Sequence, residues 1–548
     1  MKNLYKYLSV VALSSLAVGC ADLDTQYYGS YVTDDQKEST LQQNPDMALA
    51  AVTSISSEFG SYYGQIADEH WDFGYPSIMM GLDGQTADFL AKIPYTSSHI
   101  YWFAYTSPSP SGIPTNMMWG HLYRQIKTAN SLLTSIPADG ATNPDLKFYR
   151  AQALTVRAFD YWVMAQCYQF NYAYVDPAVA KTVPLISELN QETVASEGAP
   201  RATVEETYKF ILDDLNEAVT LLSEANIDPS RVMSDKPKRM VSLAVAYGMR
   251  ARVYLTMHKY AEAAADAQNA IANFSGRPYT ISEVSVPAFV NSDDASWMWS
   301  IVVASTDRPT TTGICNWPSQ MGSFNDGYAN FSGWRWCNKL LFESIPSSDV
   351  RKGWWLDENL TSPNLSAAEQ EYLNSYIGSG TGDYSANSTD IMPYTQVKYA
   401  VAGGGLGGTT TGYEVPLMRI EEMYLILAEA LGQSNVAQGL KPLTDFVTTY
   451  RDPRYKFTAS DAEELQDEVW RQRRIELWGE GLAFFDVMRL NKDVDRTQGA
   501  AMDDFNYKIP AGSDCLIYCI PLNETQTNPQ ITAADNNPTA TRPIPELQ

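Results

Sequence analysis

The sequence predicts a mainly α-helical protein. Large apolar residues recur at the 3.6-residue spacing of an amphipathic helix in several long segments. Two other segments, residues 60–115 and 279–411, lack this spacing and are rich in Gly, Pro, Ser, Asn and aromatic residues. At 548 residues and 45% apolar content, the chain is long and apolar enough to bury a large core. We therefore expect a helical scaffold, mainly residues 116–271 and 415–490, that carries two loop-rich regions.

The first 19 residues have the pattern of a secretory signal peptide. Two lysines precede an apolar run, residues 8–18, that is too short to span a bilayer, and small residues follow it. The sequence LAVGC resembles a bacterial lipobox with Leu16 one place earlier than usual, so Cys20 is the expected lipidation site and mature N-terminus. An ordinary cleaved leader followed by an unrelated cysteine is the alternative.

The mature chain is predicted to be a tether followed by one domain. Residues 20–40 are polar and form the expected tether, and residues 41–548 form the expected single domain. The formal net charge of -25 argues strongly against nucleic acid as a partner, because a phosphate backbone attracts basic proteins. Contact with the membrane is expected only through the lipid anchor.

Four segments in the N-terminal half predict scaffold helices. In one of them Thr203 is the predicted N-cap, and Glu206 stands at the spacing of a capping box. In another, small and aromatic residues occupy tetratricopeptide-like positions of a helical hairpin, although only this unit matches the pattern cleanly. The predicted segments are 116–136, 145–169, 201–222 and 242–271.

Near the C-terminus, residues 467–490 (DEVWRQRRIELWGEGLAFFDVMRL) predict one long amphipathic helix. Glu476 and Glu480 lie one turn apart on it, and Arg473 and Arg489 are their expected ion-pair partners. A catalytic pair of carboxylates is the alternative. The charge density of this segment fits a partly buried helix only if most of the charges are paired.

Five cysteines remain after Cys20, so a complete disulfide framework is not expected. Cys515 and Cys519 lie in CLIYC, which predicts a strand and would separate them too far for a disulfide. Cys315 and Cys337 either pair or stay free. No CxxC pair occurs, so no zinc site of the ribbon type is predicted, and no other metal or cofactor is expected.

Several motifs in the same order resemble the SusD/RagB family of bacterial outer-membrane nutrient-binding lipoproteins. They are LTVRAFDYWVMAQCYQ, in which Gln169 replaces the usual glycine, the predicted helix VPLMRIEEMYLILAEALGQ (residues 415–433), RRIELWGEGLAFFDVMR, and the terminal IPLNETQTNP. The resemblance implies a SusD-like fold with tetratricopeptide-like helix pairs. It also implies a cell-surface protein, lipid-anchored in the outer membrane, whose partner is a TonB-dependent transporter of the SusC type.

The chain carries little that indicates an enzyme. It has four histidines, none in an HExxH motif, and no GxSxG nucleophile motif. A glycoside hydrolase needs only two carboxylates, and the first loop-rich region could supply them, so this stays open as a less favoured alternative. Its candidate carboxylates are Asp68, Glu69, Asp72, Asp83 and Asp88.

The predicted ligand is an oligosaccharide or polysaccharide, because sugar faces stack on Trp and Tyr rings while sugar hydroxyls pair with polar side chains. A peptide is the alternative, since the same rings would serve and some relatives handle peptides. Residues were chosen from the loop-rich regions, where a ring has fewer helical neighbours to bury it. The candidates are the rings of Trp102, Trp317, Trp334, Trp336, Tyr101 and Tyr328 and the polar side chains of Asp83, Asn325, Asp326 and Arg335.

Overall fold

The computed structural model confirms a mainly helical protein with short strands. It describes residues 34–61, 72–91, 100–103, 105, 109–289, 291–307, 310, 317–321, 335–378, 391–400, 405–406, 412–499 and 505–538. Within these residues, no helix is both long enough and apolar enough to cross a membrane.

The N-terminal half of the chain contributes helices α1 to α11. Their bounds are α1 Asp34–Gln43, α2 Leu49–Glu58, α3 Tyr75–Gly84, α4 Ile100–Phe103, α5 Ile113–Ser135, α6 Pro144–Cys167, α7 Gln191–Glu197, α8 Val204–Ala225, α9 Pro229–Val232, α10 Leu243–Thr256 and α11 Tyr260–Asn273.

The C-terminal half contributes helices α12 to α19. Their bounds are α12 Trp317–Met321, α13 Lys339–Glu343, α14 Ala367–Gly378, α15 Ile420–Ser434, α16 Val436–Tyr450, α17 Ala462–Glu476, α18 Ala483–Arg489 and α19 Leu522–Thr527. The strands are β1 Phe89–Leu90, β2 Trp297–Val303, β3 Trp336–Cys337, β4 Tyr413–Arg419, β5 Val494–Asp495 and β6 Lys508–Ile509.

The long helices form a continuous scaffold. Helix α5 packs on α6, α6 on α8, α8 on α10, and α10 on α11, which in turn packs on α15 and so joins the N-terminal helices to α16 and α17. Helix α8 begins as predicted: the Thr203 hydroxyl accepts the Glu206 N–H at 3.1 Å, and the Glu206 carboxylate accepts the Thr203 N–H at 2.7 Å. The four predicted N-terminal segments are therefore confirmed, with boundary shifts of a few residues.

The single helix predicted over residues 467–490 is wrong, because the structure has two helices, α17 and α18. Gly479 and Gly481 separate them with φ angles of 79° and 72°, which L side chains rarely adopt. A Cβ at Gly479 would lie 2.7 Å from Met321 Cε, and one at Gly481 would lie 2.6 Å from Met79 Cβ. The two glycines thus allow both a left-handed turn and close packing.

The helix predicted over residues 415–433 begins five residues late, at Ile420. The preceding residues form strand β4, which pairs antiparallel with β2 and places Ile301 opposite Val415. Most of its residues are buried, so it lacks the alternation of a half-exposed strand and was not distinguished from the following helix.

Three further segments differ from the predictions. Helix α1 begins at Asp34, inside the predicted tether. Helix α3 lies inside the first loop-rich region, and because all ten of its residues are buried it shows no amphipathic periodicity. CLIYC is not a strand: residues 514–516 form a 3₁₀ turn, and the buried Cys515 and Cys519 form no disulfide. Cys337 is likewise free, while Cys315 lies outside the described residues.

Candidate functional site

A cluster of buried charges anchors the loop-rich side of the molecule to α17. We call it the Glu476 cluster. Its members come from five separate stretches of chain and each is at most 6% exposed. They are Arg351, Lys398, Arg419, Glu421, Arg451, Glu476 and Glu480.

Glu476 is the centre of this cluster. Its carboxylate accepts hydrogen bonds from Arg451 at 2.8 Å, from Arg419 at 3.0 Å and from Arg351 at 3.3 Å. Although burial opposes ionisation, the three guanidinium charges hold the pKa of Glu476 well below its ordinary value. Glu476 is therefore an ionised structural anchor with no free oxygen for catalysis.

Ion pairing was predicted for Glu476 and Glu480, but the expected partners are wrong. Arg473 pairs instead with Asp486 at 2.7 Å, and Arg489 pairs with Asp486 and Glu429. Helix α17 ends at Glu476, so residues from 480 onward do not continue its face. The pairs with Arg473 and Arg489 were expected along that face.

Lys398 carries the cluster into the second loop-rich region. Its ammonium donates to the carbonyls of Glu476 and Trp478 at 3.0 and 2.8 Å and to Glu480 at 2.8 Å. Next to it, the Tyr399 hydroxyl donates to the Trp478 carbonyl at 2.7 Å. Residues 396–399 are thus fixed to the turn that follows α17.

This fixed segment supports Trp317. The Trp317 ring packs edge-on against Tyr399, with ring centroids 4.7 Å apart and planes at 87°. Its indole N–H is buried and has no acceptor among the described residues. An unmet buried donor costs free energy, so an acceptor from outside the described residues would stabilise this N–H.

Asp83 joins α3 to the same turn. Its carboxylate accepts the backbone N–H of Gly481 at 2.9 Å and that of Ala483 at 3.3 Å. Burial raises the pKa of Asp83 to about 7, and the two backbone donors only partly offset this effect. The side chain therefore holds the start of α18 and is 1% exposed.

Trp102 and Trp336 are packed into the base of the loop-rich side. Trp102 lies so close to Gly81 that a Cβ there would be 2.2 Å from its ring. Trp336 is in β3 and pairs with Leu90 of β1. Both rings are buried and form part of the hydrophobic core.

Arg335 is buried beside β3. Its guanidinium lies 5.9 Å from the centre of the Phe103 ring, and its backbone carbonyl accepts the Gln396 N–H at 2.9 Å. Burial lowers the pKa of Arg335 to about 9. Arg335 is thus a cation held away from water beside an aromatic ring.

Two cavities lie away from these residues, on the helical scaffold. They flank Lys127 and Ser131 of α5 and have volumes of about 610 and 740 Å³. None of the predicted ligand residues lines either of them.

Two family models match this chain over most of its length. A model described as starch-binding and associating with the outer membrane matches residues 86–255, and the model of the SusD family, SusD_RagB, matches residues 328–546. The chain belongs to the SusD/RagB family. No curated protein sequence matches it.

Solved structures of SusD proteins share the fold. A SusD-like carbohydrate-binding protein from Bacteroides vulgatus is 20% identical, with a TM-score of 0.71 over 89% of this chain and 97% of that chain. A SusD superfamily protein from Bacteroides thetaiotaomicron is 20% identical, with a TM-score of 0.63 over 90% and 99%. A laminarin-binding SusD-like protein is 19% identical, with a TM-score of 0.60 over 90% and 98%.

The exposure assumed for five predicted ligand residues of this SusD/RagB protein does not hold. They were chosen as residues of open loops, but α3, the β1–β3 pair and residues 395–399 cover them, so each is at most 3% exposed. They are Asp83, Trp102, Trp317, Arg335 and Trp336. They are parts of the packed interior and not of an open surface.

The other predicted ligand residues stay predictions. Asn325, Asp326, Tyr328 and Trp334 lie outside the described residues, and of Tyr101 only the backbone, in α4, is described. The residues that sequence reasoning missed are Lys398 and Tyr399. Their only signal was their place in an aromatic, helix-poor segment, which did not single them out.

Three of the five candidate carboxylates of the hydrolase alternative lie in the described part of this SusD protein, and each accepts a hydrogen bond there. Asp88 accepts two hydrogen bonds from Arg474 at 2.6 and 2.7 Å, and Asp72 accepts the Gly74 N–H at 3.1 Å. Asp83 is held by backbone donors as described above. Asp68 and Glu69 lie outside the described residues.

Proposed function

We propose that this SusD/RagB protein binds an oligosaccharide or polysaccharide at the cell surface and delivers it to a SusC-like, TonB-dependent outer-membrane transporter. Family membership supports a role in binding rather than catalysis. The descriptions of the matched model and of similar structures name starch, carbohydrate and laminarin as ligands of SusD proteins. The N-terminal sequence supports lipid anchoring at Cys20 and export to the surface.

The observation that carries the proposal is the unmet indole N–H of Trp317 at the base of the loop-rich side. In the sequence, Trp317 stands between residues 311–316 and residues 322–334, and the latter contain Tyr328 and Trp334. A sugar ring stacked on Trp334, with a hydroxyl accepting from Trp317, would use both kinds of group that carbohydrate sites combine. Tyr101, Asn325 and Asp326 are the further proposed contacts.

A glycan array beside a peptide panel tests the ligand class. We expect glycan binding by the parent, a loss of about two- to tenfold for Trp317→Phe, which removes one hydrogen-bond donor, and about tenfold or more for Trp334→Ala, which removes a stacking ring. Trp470→Phe is the matched control, because it also removes a buried indole N–H that has no acceptor among the described residues, but on α17. Folded Trp317 and Trp334 variants that bind as tightly as the parent would disprove this site.

The peptide alternative is decided by the same experiment. The family also carries the RagB name, and the same rings can contact peptide side chains. Binding confined to the peptide panel would replace the glycan in the proposal, and it would leave the family and the fold untouched.

Experiments on membranes test the lipid anchor and the transporter partnership. Cys20→Ala should move the protein from the outer-membrane fraction to the soluble fraction, because the acyl chains are its expected attachment. A variant that stays in the membrane would contradict lipid anchoring. Purification of the parent from native membranes should recover a large β-barrel protein, and repeated purification without one would contradict the transporter partnership.

A further inference from the structure

The cavity of about 610 Å³ lies between α5, α7 and α19 of the helical scaffold. Its apolar lining is formed by Trp119, Tyr123, Ile126, Ile186 and Val194. The rings of Trp119 and Tyr123 are neighbours, with centroids 4.7 Å apart and planes at 47°. Trp119 is 9% exposed and Tyr123 is partly buried, so a chain bound in the cavity can contact both rings.

Charged groups of both signs stand unpaired around these rings. The carboxylates of Glu192 and Glu524 and the ammonium of Lys127 line the cavity and make no ion pair with any described residue. Glu524 accepts one hydrogen bond from a neutral donor, the side-chain amide of Asn528, at 2.8 Å. The indole N–H of Trp119 donates to no described residue. The lining therefore offers aromatic faces, an indole donor, two carboxylates and one cation.

Aromatic grooves with these features are typical of sites that bind proline-rich chains in the polyproline II conformation. The proline rings pack on the aromatic faces. The backbone carbonyls of such a chain make no hydrogen bonds within it, so they can accept from an indole N–H. An acidic side chain beside the rings favours a basic residue next to the prolines, through charge-assisted hydrogen bonds.

The last ten residues of the sequence have this composition. They are residues 539–548, TATRPIPELQ, which lie outside the described residues. They contain two prolines one residue apart, preceded by Arg542 and followed by Glu546. The segment thus carries one charge of each sign on either side of its prolines, which complements the unpaired charges of the cavity.

The described chain also ends close to the cavity. The side-chain amide of Asn537 donates to the Tyr168 carbonyl at 2.7 Å. The ring of Tyr168 lies 5.3 Å from that of Trp119, measured between centroids, and Trp119 lines the cavity. Ten residues in the polyproline II conformation span about 31 Å. The segment that follows Pro538 is therefore long enough to reach across the cavity.

We propose that residues 539–548 bind in this cavity as a polyproline II strand. Pro543 and Pro545 pack on the rings of Trp119 and Tyr123, and the Trp119 indole N–H donates to a backbone carbonyl of the strand. Because the segment is covalently attached, its effective concentration at the cavity is on the order of millimolar, so a weak intrinsic affinity is enough to keep it bound.

The charged residues fix the position of the strand. Arg542 pairs with the carboxylates of Glu192 and Glu524, and Glu546 pairs with Lys127. The bound segment thereby links α5, α7 and α19. This proposal does not rest on the proposed function, because none of the residues proposed above to contact the glycan lines this cavity.

Competition with a fluorescently labelled peptide of residues 539–548 tests the occupant. The peptide is titrated into the purified full-length parent and into a full-length variant that carries Pro543→Ser and Pro545→Ser. Anisotropy should show binding to the variant at least about tenfold tighter than to the parent, because the parent retains its attached competitor. Equal binding to both, or to neither, would overturn the proposal. Tighter binding of an unrelated proline-rich peptide would assign the cavity to a partner protein and would overturn it as well.

Substitutions on α7 locate the binding. Adding Glu192→Lys to the double-proline variant should weaken peptide binding about three- to tenfold, because Arg542 of the peptide then meets a like charge. A peptide that carries Arg542→Glu should restore it. Glu197→Lys makes the same change on α7 but outside the lining and is the control, and both positions are exposed. If the Glu192→Lys and Glu197→Lys variants bind the peptide equally well, the cavity is not the site.

Discussion

Two buried regions of the protein shift the pKa values of their acidic side chains in opposite directions. In the Glu476 cluster, three arginines surround one carboxylate and keep it ionised. Where α6 packs on α8, the buried acids contact fewer cations. Asp214 accepts two hydrogen bonds from Arg157 at 2.7 and 2.8 Å, and Arg157 is shared with Glu188. Burial raises the pKa of Asp214 to about 6 despite this pair.

Asp160, on α6, is the extreme case. It is fully buried, and neither of its carboxylate oxygens has a hydrogen-bond partner in the described structure. Burial, together with the charge of Glu58, raises its pKa well above the ordinary value. The comparison shows that burial alone does not decide the charge of an acid, whereas the number of cations in contact with it does.

The difference sets opposite pH responses. The folded-state pKa of Glu476 is lowered, so its contribution to stability is present above the ordinary pKa of 4.5 and is lost as the pH falls towards the folded-state value. The folded-state pKa of Asp160 is raised, so folding costs more as the pH rises above its ordinary value of 3.8.

The largest expected effect comes from Glu476→Ala. It leaves three buried guanidinium groups without their common partner and should lower the free energy of unfolding by about 3–5 kcal/mol, measured by urea denaturation at pH 7. Glu192→Ala, on the exposed face of α7, is the control. A loss below about 1 kcal/mol would show that the cluster is not an anchor.

An intermediate effect of opposite sign is expected for Asp160→Asn. The variant cannot ionise, so it avoids the proton-linked cost, and its free energy of unfolding relative to that of the parent should rise from pH 4 to pH 8. Urea denaturation at both pH values measures this. A variant that is equally destabilised at both would mean that Asp160 has a structural role that its contacts do not show.

The smallest effect is expected for Glu217→Gln. Glu217 pairs with Arg150 at 2.5 Å, but its side chain is 36% exposed, so water and salt screen the pair. The free energy of unfolding should change by less than about 1 kcal/mol, and added salt should reduce the difference further. A loss comparable to that of Glu476→Ala would remove the distinction between exposed and buried pairs.

The fold was largely predictable because local signals agree with it. Thr203 and Glu206 marked the start of α8, and apolar periodicity marked α5, α6, α10 and α11. The sequence did not reveal the break after α17, because Gly479 and Gly481 interrupt a pattern whose apolar spacing continues. Helix α3 was missed for the opposite reason, since burial on all sides removes periodicity.

The site was less predictable because exposure is a tertiary property. Trp102 stands in a sequence context of Gly, Ser and Pro that is typical of loops, and only the approach of Gly81 shows that its ring is packed. The partners of Glu476 come from residues 351, 419 and 451, which no local spacing relates to α17. Conversely, the family resemblance could be read from the sequence, because its motifs, RRIELWGEGLAFFDVMR among them, are each contiguous in the chain.

The Glu476 cluster also has a consequence for the order of folding. Arg351 and Glu476 are 125 residues apart in the chain, so bringing them together closes a long loop before any of its ion pairs can form. The contacts of α5, α6 and α8 are more local and do not carry this entropic cost. Backbone amides of that helix array should therefore gain protection from hydrogen exchange early in refolding, and those of residues 396–399 should gain it last, when water leaves the cluster.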